Sequence, residues 1–371
     1  MNTRKLRVVP AVALLLPADM VVGAGLLLTS ALKTVHRFVS FRRRSSAKPE
    51  KESPVPKKIA TIQILNWDGK HLLAECLPSV VDAVRATGVG HEILVVDNGS
   101  TDGSVQFLRE TFPQVRIVEL DRNYGFVGGN NRGVQAVNTD IVVFLNNDMI
   151  VGRNFLQPLL DGFTDASIFA VTSQIFFEDA SRRREETGKT RGKFERGFFN
   201  VWHEDIDVLD EKRTFIPVFW AGGGACAFDR RKYLEMQGLD DVYGPFYVED
   251  TDLSYRAWKC GWKCLLAPAS QVVHKHRATS SRKYSHRFVD ETIRRNLFLF
   301  VWKNVSAPSM LLQHITNLPR IHGSSMLKEG CRFELRAYRR ALGRLPAALW
   351  KRLKAPTGFI SDHEVLMRSQ M

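Results

Sequence analysis

From Ile59 to Leu145 short apolar runs alternate with segments whose apolar residues recur at helical spacing. Ile59–Leu65, Glu92–Asp97, Val115–Leu120 and Ile141–Leu145 are brief and rich in β-branched residues, which predicts four buried strands. Leu72–Val84, Ser104–Thr111 and Gly128–Val137 separate them as helices. Such alternation, with near-continuous apolar strands, predicts a parallel sheet covered on both faces. Ligands of such sheets bind at the carboxyl ends of the strands. Polar clusters do succeed those ends: Asn66-Trp67-Asp68, Asp97-Asn98-Gly99-Ser100 and Asn146-Asn147-Asp148.

The second half is less regular. Ile168–Phe177 and Phe215–Asp229 read as further strands, and residues 250–260 as a helix stopped by Gly261. Gly222-Gly223-Gly224 interrupts an apolar run, a sign of close backbone approach or a bend. Glu178–Arg213 is charged and turn-rich and reads as a mobile loop over the site. Before the sheet, Val8–Leu32 is an apolar stretch long enough to cross a bilayer, interrupted by Pro10, Pro17 and Asp19. It is expected to be an anchor or an interfacial segment, with a cleaved signal peptide as the competing reading. Ser45–Lys58 reads as a polar linker. Arg332–Lys354 mixes Arg and Lys with Leu335, Leu342, Leu349 and Trp350. This basic amphipathic helix suits either an anionic bilayer or a packed face. The chain thus divides into 1–58, 59–305 and 306–371.

Charge changes the picture only once it is located. The net +14 is concentrated at the ends: residues 1–58 hold twelve Lys/Arg against three Asp/Glu, and 320–371 eleven against four. Residues 59–319 carry thirty against thirty-two. A nucleic-acid groove would need its basic surface in that middle, so the ends point to a membrane surface instead. The excess of positive charge after Leu32 favours a cytoplasmic location for the downstream chain. The five cysteines form neither a disulfide framework nor a zinc pattern, and read as reduced thiols.

Four clusters carry candidate chemistry. Asp148, at the mouth of a buried strand, is open to two readings: an Asx-turn, or a ligand for a hard cation bridging phosphates. Glu249, Asp250 and Asp252 crowd a helix start behind Phe246 and Tyr247. They serve as caps, or one of them takes a proton from an attacking hydroxyl. Asp252 is spaced to pair with Arg256. His274, within Val272-Val273-His274-Lys275-His276, suits a metal ligand or a surface histidine. A Gly-rich stretch, Asn123 to Asn131, joins a strand to a helix and frees backbone to approach a phosphate.

In order and spacing, the segments ILNWDG, VVDNGSTDGS, NYGFVGGNNRG, VVFLNNDMIV, YVEDTDLSYRAWKCGW and VVHKHRATS resemble glycosyltransferase family 2. These are the inverting GT-A enzymes, and the likeness is greatest to the rhamnosyltransferase-like bacterial branch. The resemblance implies an α/β GT-A fold, Rossmann-like and mostly parallel with helices on both faces, plus a C-terminal helical extension. It implies a nucleotide-diphosphate sugar donor, a hydroxyl acceptor and a divalent metal, Mg or Mn. Asp148 becomes the last acid of the metal motif, with Asn146 where many members carry the first. His274 falls where some members place a further ligand. Asp250 becomes the base, and Asp97 contacts the nucleobase. Asn66, Asn98, Asn123, Gly125, Asn130, Asn131, Asn147, Glu249 and Asp252 are expected on the substrates. With the basic ends, this suggests a membrane-associated enzyme of cell-envelope polysaccharide or glycolipid assembly, acting on a glycan or lipid-linked acceptor from the cytoplasmic side. A nucleotidyltransferase for sugar phosphates and a non-catalytic membrane-attached sugar-binding protein are the alternatives.

Overall fold

A computed structural model describes residues 3–44, 54–179, 181, 186–275, 284–355 and 360–371. The polar linker falls largely outside these, as do His276 and the residues up to 283. The chain forms two compact units, one of Glu52–Arg191, Trp202–Tyr284 and Val365–Met371, the other of Met1–Lys51, Gly192–Val201 and Ser285–Glu364.

The first unit is built on one mixed sheet. Its strands are β1 (Ala60–Asn66), β2 (Glu92–Asp97), β3 (Arg116–Glu119), β4 (Ile141–Asn146), β5 (Met149–Val151) and β6 (Ile168–Phe177). β9 (Ile216–Pro217), β10 (Ala225–Asp229) and β11 (Lys263–His274) complete it, whereas β7 (Thr190–Glu195) and β8 (Phe198–His203) pair only with each other and fall mostly in the other unit. The sheet order is β3-β2-β1-β4-β10-β6-β11-β5, with β9 on β11. β3, β2, β1 and β4 run parallel, as the apolar runs predict, and β10 inserts antiparallel between β4 and β6. Both faces are covered: on one, Ile62, Ile64, Val143 and Leu145 meet Leu73, Leu77 and Val80 of the Lys70–Ala86 helix, and on the other, Phe144 and Phe228 pack with Tyr233. Register sets the site. Asn66 pairs with Asp97 and Leu65 with Asn146, so the polar strand ends form one row along the carboxyl edge.

Two expectations are corrected here. Phe215–Asp229 is not one strand: β9 and β10 are separated by Gly222–Gly224, where the backbone leaves the sheet. Glu178–Arg213 is not simply a loop. Residues 180 and 182–185 lie outside the described set, but β7, β8 and the Val208–Glu211 helix occupy much of the rest. Thr190, Phe198 and Phe199 are buried, so this charged segment still supplies an apolar face.

The second unit is helical. Val8–Leu32 is two helices, Thr3–Ala13 and Leu16–Arg44, with Pro17 in the first turn of the second. Leu16–Thr34 is long and apolar enough to cross a membrane. The basic tail is likewise two helices, Cys331–Leu342 and Leu345–Lys354, broken at Gly343-Arg344. His286–Asn304 and Pro308–Glu329 join them.

Asp19, which reads as a cost in the apolar segment, is buried and partnered. Its Oδ1 accepts from the Tyr338 hydroxyl at 2.6 Å and lies 3.1 Å from His322 Nε2. His322 Nδ1 reaches Glu334 at 2.7 Å, and Arg294 Nε donates to the same carboxylate at 2.9 Å. Burial lowers the His322 pKa, but the two carboxylates outweigh it and raise it above the ordinary value. A raised folded-state pKa stabilises fully below the unfolded value and is lost as pH rises through the folded one. The melting temperature of this unit should therefore fall as pH rises above about 6.5. Asp19→Ala should cost it about 3 kcal/mol, because a buried charge network loses a member. Calorimetry of both forms across that pH range measures the two effects.

Candidate active site

Asp148 comes just after β4 because Ile141–Leu145 is wholly apolar and the first polar residues mark where the strand leaves the core. The side chain is buried, and its Oδ2 lies 3.4 Å from His274 Nε2. β11 delivers His274: it shifts register against β6 between Ala267 and Gln271, then pairs with β5 so that His274 stands opposite Met149. The Lys275 N–H donates to the Asp148 carbonyl at 3.0 Å and fixes the approach. The other ring nitrogen, Nδ1, is 3.0 Å from Glu186 Oε2. Burial lowers the His274 pKa, and the flanking Asp148 and Glu186 carboxylates overcome it, raising it to about 9.

Whether these residues suit a divalent ion is a question of spacing. Adjacent ligands of one ion, each about 2.1 Å from it, stand roughly 3.0–3.4 Å apart. The 3.4 Å between Asp148 Oδ2 and His274 Nε2 fits. Glu186 binds the opposite nitrogen, so it orients the ring rather than joining the ion. Among the described residues no group of three His, Cys, Asp or Glu is placed to hold a metal.

Asp250 opens the Glu249–Lys259 helix. The two residues before that helix, Tyr247 and Val248, have φ of 70° and 73°. A β-branched residue there is strained, at a cost of about 1–3 kcal/mol, and such strain clusters at functional sites. Asp250 is half-buried and accepts from the Gly223 N–H at 3.3 Å and the Thr251 N–H at 2.7 Å. Burial raises its pKa, against those N–H groups that favour its charge. Glu249 is more deeply buried, its Oε2 has no hydrogen-bond partner among the described residues, and burial with the neighbouring Asp250 charge raises its pKa further. Asp252 turns inward: it is fully buried, taking the Tyr243 hydroxyl at 2.8 Å and Arg256 Nε at 2.7 Å.

Gly222–Gly224 ties these pieces together. The Gly224 carbonyl accepts from the Asn146 N–H at 2.8 Å, while the N–H of Gly223 reaches Asp250. A Cβ on Gly224 would meet the Asn146 side chain at 3.1 Å, and one on Gly223 the Phe126 ring at 3.3 Å. The glycines thus let one backbone segment pass between the end of β4, the Gly-rich loop and Asp250.

The remaining expected residues separate into two groups. At the strand ends, Asn147 Nδ2 donates to Asn66 Oδ1 at 2.9 Å, and Asn66 Nδ2 donates to Asp97 at 3.2 Å. Asp97 also accepts from the Ser100 N–H at 2.9 Å. Asn98 Nδ2 donates to Asn123 Oδ1 at 2.9 Å, and that oxygen also accepts from the Gly125 N–H at 2.7 Å. A cleft of about 240 Å³ lies between this loop (Tyr124, Gly125, Val127, Gly128 and Arg132) and Asp241, Gly244 and Pro245. The other group faces the interior. Asn130 accepts from Gln63 Nε2 at 3.0 Å, Asn131 accepts from the Tyr233 hydroxyl at 2.6 Å, and Asp252 is held as above. These three hold elements together and are not brought to the cleft. Glu186 has no sequence signal, lying in a charged segment, whereas the three consecutive glycines do announce the close approach that Gly223 makes.

The mixed sheet and its flanking helices have the GT-A fold. A GalNAc-T7 structure with UDP, GalNAc and Mn2+ superposes with a TM-score of 0.50 at 18% identity, covering 66% of this chain and 48% of that one. Residues 62–235 match the family model for glycosyl transferase family 2. Similar proteins include N-acetylgalactosaminyltransferase 6 of Drosophila melanogaster, 27% identical over 53% of this chain and 31% of its own length. An N-acetylglucosaminyl-diphospho-decaprenol L-rhamnosyltransferase of Mycobacterium tuberculosis is 26% identical over 51% of this chain and 67% of its own. The chain spans about a third of the length of the Drosophila relatives it matches.

Proposed function

We propose that this protein transfers a sugar from a nucleotide-diphosphate donor to a hydroxyl acceptor, with inversion at the anomeric carbon. The observation that supports the reading is the Gly222–Gly224 segment, which bonds both Asn146, at the end of β4 two residues before Asp148, and Asp250. Asp148 and His274 would hold a divalent ion, Mg or Mn, whose Lewis acidity offsets the charge of the departing diphosphate. Glu186 fixes the His274 tautomer and directs Nε2 toward Asp148. Asp250, its raised pKa suited to a base, takes the acceptor proton as the oxygen attacks. Gly223 and Thr251 N–H groups keep that carboxylate aimed and favour its charged form, against the burial that raises its pKa. The row Asn66, Asp97, Asn98 and Asn123 lines the donor side, with Asp97 toward the nucleobase.

A panel of nucleotide sugars incubated with the chain and Mn should release nucleoside diphosphate from one of them, faster with acceptor. Binding without release would support the sugar-binding alternative instead. Glu186→Gln should weaken Mn binding by about 10–100-fold, measured by calorimetry without donor. The basic, apolar helical unit supports membrane association and an acceptor such as a lipid-linked glycan of the cell envelope, with the sheet unit on the cytoplasmic side. The mycobacterial relative, named for a diphospho-decaprenol acceptor, is consistent with that assignment.

A further inference from the structure

The Leu16–Arg44 helix has two apolar faces. Asp19, Val22, Gly23, Leu26 and Thr29 face the other helices and are buried. Met20, Val21, Ala24, Leu27, Leu28 and Leu32 face outward, with Met20 75% exposed and Val21 and Leu28 62%. Between Leu16 and Leu32 the sole charged side chain is Asp19, on the buried face. A helix apolar on both sides needs an apolar environment on the second.

Its neighbour decides the orientation. Pro308–Glu329 lies antiparallel along it: a Cβ on Gly23 would meet Ile315 at 3.2 Å, His322 bonds Asp19, and Gly323 lies beside Val8 and Val12. Along that length the neighbour exposes Gln313, Thr316, Arg320, Ser324 and Lys328, with Leu312 and Leu327 as the exposed apolar residues near its ends. If the apolar helix crossed a bilayer, this stripe would run through the hydrocarbon beside it, with Arg320 near the depth of Asp19. Uncompensated charge there is costly. Lying in the interface satisfies both helices.

We propose that the helical unit binds an anionic bilayer in plane. The outward face of Leu16–Thr34 enters the headgroup–acyl boundary, and the polar stripe of Pro308–Glu329 stays in water. Trp350 belongs to the same surface. It is 59% exposed, Lys354 Nζ lies 4.8 Å over its ring, and the adjacent Leu349 packs where Gly25 lacks a side chain. Exposed tryptophan beside lysine suits the headgroup level. The excess of nine positive charges in 1–58 and seven in 320–371 supplies the attraction to anionic lipid. This deepens the membrane association proposed above and is independent of sugar transfer.

Flotation of the full-length chain with vesicles, without donor or metal, tests it. Binding to equimolar phosphatidylglycerol and phosphatidylcholine should be strong, and about 10-fold weaker to phosphatidylcholine alone or in about 0.5 M NaCl. The double variant Leu27→Gln/Leu28→Gln, altered only at exposed positions, should keep its far-UV circular dichroism and lose flotation. Alkaline carbonate should release the bound wild type. Retention through carbonate would overturn the in-plane arrangement in favour of a span. A wild type that ignores vesicles, or forms a dimer in solution that the double variant abolishes, would assign the face to a second copy and sink the proposal. Because the assay contains no donor, its failure leaves the sugar-transfer reading standing.

Discussion

Asp250→Asn should bind the donor as tightly as wild type and transfer sugar about 10²–10⁴-fold more slowly, the usual contribution of a positioned general base. The substitution keeps size and leaves one oxygen to accept the shorter Thr251 N–H bond, so the helix start should stay in place while the longer Gly223 contact is lost. What it removes is a site for the acceptor proton. The pH profile carries a second signature. Asp250 acts ionised, and burial raises its pKa, so the wild-type rate should fall with acidification at a pH above the ordinary carboxylate value of about 3.9. The variant should lack that limb. Donor affinity by calorimetry and single-turnover rates across pH separate base loss from a binding defect; near wild-type transfer would remove Asp250 from the role. Asp252→Asn should behave differently. It disturbs the bonds from Tyr243 and Arg256, and so should lower stability before it lowers the chemical step.

Asp148→Ala should abolish measurable Mn binding and slow transfer by about 10³-fold, the rate equivalent of roughly 4 kcal/mol. The effect should be this large because the neighbouring positions give little help. Asn147 is turned to Asn66, the Asn146 backbone is bonded to Gly224, and His274 Nε2, 3.4 Å from Asp148, is the proposed second ligand. Electron paramagnetic resonance of Mn titrated into each form reads binding directly, without catalysis. Unchanged Mn affinity in Asp148→Ala would move the metal elsewhere. The two variants are complementary: one should lose the proton acceptor and keep the metal, the other the reverse.

The strands and the polar residues at their ends are legible along the chain because both obey local rules. A buried parallel strand must be apolar throughout, and the first polar residue marks its exit from the core. Thus Asp97 and Asp148 stand out at their strand ends, and alternation of strand with helix places those ends on one edge. The separation of Asp250 from Asp252 is also partly readable. Two residues on a helix diverge by about 200°, so both cannot face one cleft, and Arg256 one turn on suits Asp252. The helical breaks in Val8–Leu32 and Arg332–Lys354 carry the local marks Pro17 and Gly343, but their full extent does not show along the chain, since amphipathic periodicity continues across a short interruption. Nor does the hairpin within Glu178–Arg213, whose buried residues are spaced among charges that pair with one another, as Lys189 does with Asp210.

By itself, then, the sequence determined a carboxylate-edged parallel sheet, the candidates Asp148, Asp250 and His274, and two basic apolar ends. Tertiary structure decided which of them meet. Glu186 reaches His274 across 88 residues, and Asp19 meets His322 across 303. The bulge in β11 turns His274 toward Asp148, and Gly223 passes close enough to hold Asp250. Periodicity reports which face of an element is apolar, but not which distant element will cover it. That partner is chosen by packing and by the need to satisfy every buried polar group, and both act through space rather than along the chain.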